Sequence, residues 1–166
     1  SDYGHLQMGN HGHPEYRREW LAKRINGQDT MVSNPQPDIQ RYSAYNQVNV
    51  LQKIRVKPTD NLDVKYALHY SETSDLPRYD RLIVRKDSQP KYATWYYGPQ
   101  RWQMHSLNAT YSAGNPLFDE ARLTAAYQNY QESRHDRKFG ENFLRNRHEE
   151  VDIGSINLDM DKEAAL

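Results

Sequence analysis

Hydrophobic and polar residues alternate with a period of two along most of the chain after residue 42. Over residues 43–57 the even positions are mostly apolar, with Ala44, Val48, Val50, Ile54 and Val56 beside Asn46 and Gln52. The odd positions are mostly polar, with Gln47, Asn49, Lys53, Arg55 and Lys57 beside Tyr45 and Leu51. A run of that period is a strand with one apolar and one wet face. Pro58-Thr59-Asp60-Asn61 has turn chemistry. Residues 62–72 alternate again, with Leu62, Val64, Tyr66, Leu68 and Tyr70 against Asp63, Lys65, Ala67 and His69. Two such runs joined by a short turn predict a hairpin.

The pattern continues less cleanly. In residues 101–113, Trp102 and Met104 lie on one parity and Leu107, Ala109 and Tyr111 on the other, which predicts a bulge near Ser106. In residues 119–133, Leu123, Ala125 and Tyr127 alternate with Arg122, Thr124 and Gln128. Asp119 could equally cap a helix with Leu123, Ala126, Tyr127 and Tyr130 on one face. The two readings are locally equivalent, and the flanking strands favour a strand. In residues 147–161, Val151 and Ile153 fall one step out of phase with Ile156, Leu158 and Met160, which predicts a bend at Gly154. Residues 1–41 read as one long loop, with a short helix over Glu15–Ile25 between Pro14 and Gly27. Residues 71–100 read as a long polar connection with a short strand at Asp80–Arg85, and residues 135–145 as a second charged loop.

The expected fold is therefore all-β: an antiparallel up-and-down meander of about five strands over residues 42–166, preceded by the loop 1–41. Connections alternate between short and long, as in a transmembrane β-barrel of the outer-membrane type. Composition supports this. Leu, Ile, Val and Phe make up only about 17% of the chain, while Tyr occurs 13 times. That is lean for a soluble core, whereas a barrel draws half of its apolar contact from lipid. Mean hydropathy is -1.09, and no apolar run approaches the ~20 residues of a membrane helix. In this reading Tyr66 and Tyr70 face lipid, and Trp95, Tyr96, Tyr97 and Trp102 gather at the interface. Asp63, Lys65, His69, Arg122, Gln128, Glu132, Asp152 and Asp159 face the lumen.

Several strings carry a resemblance: Asn26-Gly27-Gln28-Asp29; Tyr45-Asn46-Gln47-Val48-Asn49-Val50-Leu51-Gln52-Lys53; Leu76-Pro77-Arg78-Tyr79-Asp80-Arg81-Leu82; Trp95-Tyr96-Tyr97-Gly98-Pro99-Gln100-Arg101-Trp102; and Tyr127-Gln128-Asn129-Tyr130-Gln131-Glu132-Ser133-Arg134. Together they resemble TonB-dependent outer-membrane receptors of the Bacteroidetes type. The resemblance implies a large plugged barrel, of about 22 strands, in the outer membrane of a Gram-negative bacterium. It implies uptake of a scarce nutrient complex, with ferric siderophore or haem ranked first. The implied partners are outer-membrane lipid and the inner-membrane TonB energy-transducing complex, which acts through a plug. This chain has no plug domain, coupling box or signal peptide, so it reads as an internal fragment of such a barrel.

Candidate chemistry lies in the loops. Arg78 and Arg81, with Arg85 and Lys86, make one connection basic. Arg134 and Arg137, with Lys138, Arg145 and Arg147, make the other basic. Cations beside Trp95, Tyr96 and Tyr97 suit an anionic, flat iron complex. The ligand-binding expectation is therefore Arg78, Arg81, Trp95, Tyr96, Tyr97, Arg134 and Arg137. His5, His11 and His13 near Asp2 and Glu15 have metal-ligand spacing, but a solvated polar loop accounts for them. No catalytic motif is present, so neither enzyme activity, metal nor cofactor is expected. The net charge is zero, which argues for no nucleic-acid partner. The alternative is a soluble β-sandwich that holds carbohydrate on exposed aromatics.

Overall fold

The computed structural model describes residues 1–9 and 13–163. The chain is all-β and antiparallel. Its strands are β1 (Asp2–Tyr3), β2 (Leu6–Gln7), β3 (Trp20–Ile25), β4 (Gln28–Ser33), β5 (Ile39–Gln40), β6 (Tyr45–Thr59), β7 (Leu62–Thr73), β8 (Leu76–Pro77), β9 (Arg85–Lys86), β10 (Gln89–Pro90), β11 (Tyr92–Tyr97), β12 (Arg101–Ser112), β13 (Glu120–Lys138) and β14 (Arg145–Asp161). The long strands β6, β7, β12, β13 and β14 follow one another as a meander that does not close. The segment that was ambiguous between helix and strand is strand β13.

Two compact units divide the chain. One comprises Val48–Glu72, Arg101–Gln131 and Glu150–Leu166. Here β12 pairs residue for residue with both neighbours: Tyr111 with Leu62 and Ala121, Ala109 with Val64 and Leu123, Leu107 with Tyr66 and Ala125, His105 with Leu68 and Tyr127. Directly paired residues share a face, so these form one surface. Arg55 Nε donates to both Asp63 oxygens at 2.9 and 3.0 Å, and Ser71 donates to Asn49 at 2.8 Å. Those bonds put the odd residues of β6 on the opposite, polar face. Val48, Val50, Ile54 and Val56 therefore join the apolar one. Tyr127 donates to Asp152 at 2.7 Å and Asn129 to Glu150 at 2.9 Å. The even residues of β14, including Ile156, Leu158 and Met160, thus lie on the apolar face as well.

Three expectations change here. No bulge occurs at Ser106, because β12 keeps register throughout. Trp102 and Met104 simply lie on the polar face, where Trp102 Nε1 donates to Gln128 at 3.2 Å and its ring meets His69 edge-on at 4.6 Å. An amphipathic indole is at home there. Strand β14 runs through Gly154 unbroken. Asp152 lies on the apolar-band face rather than with the lumen set, held by Tyr127 and Asn129.

The apolar face has no cover among the described residues. Val48 is 57% exposed, Leu158 55% and Ile156 80%, and among the described residues no apolar side chain of this unit is buried. The band ends in aromatic rows. Tyr66, His105 and Tyr127 line up across β7, β12 and β13, with ring centroids 6.1 and 6.4 Å apart and the Tyr66 hydroxyl 2.7 Å from His105 Nδ1. Beyond them come Tyr70, Gln103 and Asn129. Towards the Ser112–Glu120 turn, Tyr111 meets Phe118 at 6.4 Å.

The other unit comprises Ser1–Gln47, Thr73–Gln100 and Glu132–Glu149. The helix expected over Glu15–Ile25 is absent. A 3-10 turn covers Pro14–Tyr16, and β3 and β4 form a hairpin with Ile25 opposite Gln28. Asn26 and Gly27 adopt φ of 49° and 79°, the left-handed pair of a two-residue I′ turn. The strand expected at Asp80–Arg85 is a helical turn, Tyr79–Leu82. Its three-residue spacing turns Tyr79 and Leu82 inward, and with Leu21 they are the buried apolar side chains among the described residues. Arg18 is 2% exposed and lies 4.5 Å over the Trp20 ring. Burial lowers its pKa, opposed by Tyr79 and Tyr42.

Candidate functional site

Strand β11 pairs with β13, setting Tyr97 opposite Arg134, Tyr96 opposite His135 and Trp95 opposite Asp136. Alternation then divides the aromatic run. Trp95 and Tyr97 share a face with ring centroids 5.1 Å apart, edge to face. Tyr96 turns the other way and stacks on His135 at 4.6 Å, interplanar angle 13°. The expected single cluster of Trp95, Tyr96 and Tyr97 is therefore two clusters, because side chains in a strand alternate.

Arg78 joins the first cluster. Its backbone N–H donates to the Trp95 carbonyl at 3.0 Å. Its guanidinium lies 5.4 Å from both the Trp95 and Tyr97 rings, and Nη1 donates to the Tyr97 hydroxyl at 3.0 Å. Arg134 lies 5.7 Å from Tyr97. Of the expected ligand residues, Arg78, Trp95, Tyr97 and Arg134 are thus brought together. Arg81 stays at the surface, 3.6 Å from Asp80. Arg137 is engaged elsewhere, with Asp29 at 2.5 Å.

None of these arginines is a free cation. Arg78 donates from Nε and Nη2 to the two Asp80 oxygens, both at 2.7 Å. Arg134 contacts Glu132 at 2.8 Å and Glu149 at 3.4 Å. The hydrogen bond from Arg78 holds the Asp80 carboxyl below the usual carboxylate range, and the same bond raises Arg78.

Arg78 and Tyr97 line an open cavity of about 640 Å³. Its other walls include Tyr16, Tyr45, Tyr79, Gln40, Gln100 and Asp80, with Leu6, Leu76 and Pro77. Tyr79 is fixed from behind, its hydroxyl donating to the Tyr16 carbonyl at 2.5 Å. Tyr45 is stacked on Tyr3 at 4.6 Å. Sequence reading missed these wall residues. They come from five separate stretches, and each alone reads as a loop or strand-end residue.

The remaining candidates are accounted for locally. His5 Nδ1 accepts from the Ser43 and Ala44 amides at 3.3 and 3.2 Å. His13 lies 3.9 Å from Glu15, and His11 lies outside the described residues. Among the described residues no group of three acids or histidines is arranged to hold a metal. Ser133, His135 and Asn146 form a hydrogen-bonded line, at 2.8 and 2.6 Å. Asn146 Oδ1 only accepts, so Nδ1 carries the proton and Nε2 accepts from Ser133. The Ser133 hydroxyl is packed so closely on Gly98 that a Cβ there would sit 2.1 Å from it. No protein-family model, curated protein or solved structure matches the chain.

Proposed function

We propose that this chain is part of a transmembrane β-barrel of the outer membrane, and that the barrel is a TonB-dependent uptake receptor. The observation that carries the barrel is the uncovered apolar face. Five long antiparallel strands turn Val48, Val64, Leu107, Leu123 and Leu158 to one side, and aromatic rows bound that band. In water such a face is an aggregation hazard, but in a bilayer it is the outer wall of a barrel. From His105 to Tyr111 along β12, and from Val48 to Val56 along β6, the band runs about 20–27 Å along the strands. Five strands fall short of the ~8 that close the smallest barrel, so further strands complete it.

The receptor half of the proposal rests on the resemblance of the sequence strings and on the loops, which build a ligand-sized cavity. The chain does no chemistry in this reading. Its loops hold cargo, and the energy comes through a plug coupled to the inner membrane. The expected anionic iron complex loses its particular support, because Arg78 and Arg134 are already paired.

The test is a blot of membrane fractions from the source cell with antibody to this segment, heated and unheated. An outer-membrane band well above 19.6 kDa that shifts on heating supports the barrel. A band confined to the soluble fraction sinks it.

A further inference from the structure

We propose that the polar face of β6, β7 and β12 carries a binding site for a small multivalent oxyanion of the phosphate class. The site is a cavity of about 390 Å³ whose lining includes Lys53, Arg55, Lys65, Ala67, Ser106 and Asn108. All six belong to one compact unit. Strand register makes the hollow. Ser106 pairs with Ala67 and Ala126, three small side chains in a row, and the next row along the same face sets Asn108 opposite the longer Lys65. This goes beyond the receptor reading and does not need it, since paired strands of the sheet build the hollow.

Each polar side chain of this face at the hollow can donate, and among the described residues no carboxylate lines it. Arg55 gives Nε and Nη2 to Asp63 and keeps Nη1. Lys65 Nζ is 3.9 Å from Asp63, beyond hydrogen-bond reach, and Lys53 forms no ion pair among the described residues. Asn108 Oδ1 accepts from Thr124 at 3.0 Å, which leaves its N–H groups to donate elsewhere. Three cations therefore share one hollow with a single acid, Asp63, beside it. In the same chain, of zero net charge, Arg101 meets Glu72, Arg137 meets Asp29 and Arg145 meets Asp136. A concave wall of one sign concentrates potential, and lysine ammonium groups are point donors suited to phosphate oxygens. A neutral ligand would answer none of that charge. The volume lies at the lower end of small-molecule sites, which fits a phosphate or pyrophosphate rather than a bulky ligand.

The experiment is calorimetry on the full-length protein, in detergent where it is membrane-bound, with phosphate, pyrophosphate and hexaglutamate as probes. Pyrophosphate should bind more tightly than phosphate, and raising NaCl from ~0.1 to ~0.5 M should weaken both about fivefold. Lys53→Gln and Lys65→Gln, at exposed positions, should each weaken pyrophosphate about tenfold. Asp63→Asn should tighten it about threefold, because it frees Arg55 and removes the one nearby acid. Lys86→Gln, outside the cavity, is the control. The inference is overturned if neither phosphate probe binds, or if both lysine variants bind pyrophosphate as the parent does. Hexaglutamate binding that exceeds pyrophosphate binding and is lost in the lysine variants also overturns it, and assigns the wall to an acidic peptide. Pyrophosphate binding by a protein found only in the soluble fraction would keep this inference and sink the receptor reading.

Discussion

The Asp29 carboxylate accepts two hydrogen bonds from Arg137, 108 residues further along the chain, at 2.5 and 2.9 Å, and a third from the Gly140 amide at 2.8 Å. This ties the β3–β4 hairpin to the connection between β13 and β14. Its side chain is 2% exposed. The Arg137 hydrogen bond, helped by Gly140, holds the Asp29 carboxyl below its ordinary value. A depressed carboxylate stabilises the fold fully above its unfolded pKa, near 3.9, and loses that stabilisation as pH falls through the lower folded value. Docking of the hairpin should therefore weaken only under strong acid. Asp29→Asn should remove that pH dependence and cost about 3–5 kcal/mol at neutral pH. Amide exchange of residues 20–33 from pH 6 down to 2 checks both; protection insensitive to the substitution would refute the tie.

Gly98 is required by its neighbours rather than by its backbone. A Cβ at this position would lie 2.1 Å from Ser133 Oγ and 2.8 Å from His135 Nε2. Gly98→Ala should push both side chains away, breaking the Tyr96–His135 stack and costing about 1–3 kcal/mol. Gly9→Ala, where nothing lies within 4 Å, is the control. Comparing their denaturation midpoints decides the matter, and equal midpoints would contradict the close packing.

Val64 and Ser106 test the two faces of the sheet. Val64 pairs with Ala109 on the apolar face, and Ser106 pairs with Ala67 and Ala126 on the polar one. Val64→Arg should impair membrane assembly by ~2–4 kcal/mol near mid-bilayer. Ser106→Arg should assemble close to normally. Heat-modifiable band intensity in outer-membrane fractions is the readout, and normal assembly of Val64→Arg would reverse the facing.

Leu82 is 3% exposed and packs in the small core formed with Leu21 and Tyr79. Leu82→Ala should cost about 2–5 kcal/mol and loosen the cavity wall at Tyr79. Limited proteolysis between residues 74 and 100 should accelerate, and an unchanged cleavage rate would show that this core is not what orders the connection.

The strands were legible because a two-residue period is a local property. Leu62 through Tyr70 alternates without a fault, and β7 begins at Leu62. The N-terminal hairpin was hidden although its turn was written plainly. Asn26-Gly27 is a strong I′ signal, but Gly27 also suits a helix stop, and Trp20 to Ile25 lacks clean alternation. The out-of-phase residues of β12 looked like a bulge because all of its large apolar residues were expected on one face. A polar face that accepts Trp102 beside His69 removes that need.

The sequence by itself determined the meander, its strand boundaries to within a few residues except where β13 runs on to Lys138, and which side of β6 and β7 is apolar, but not the facing of all of β12 and β14. Backbone pairing and side-chain alternation act between near neighbours, so they leave a periodic trace. Only the tertiary structure decided how the loops spend their charges. That Arg137 is taken by Asp29 and Arg145 by Asp136 depends on distances between groups 108 and 9 residues apart in the chain, whereas Arg78 finds Asp80 only two residues on. The tyrosine cavity has the same origin: its walls come together only when separate stretches fold around the core of Leu21, Tyr79 and Leu82.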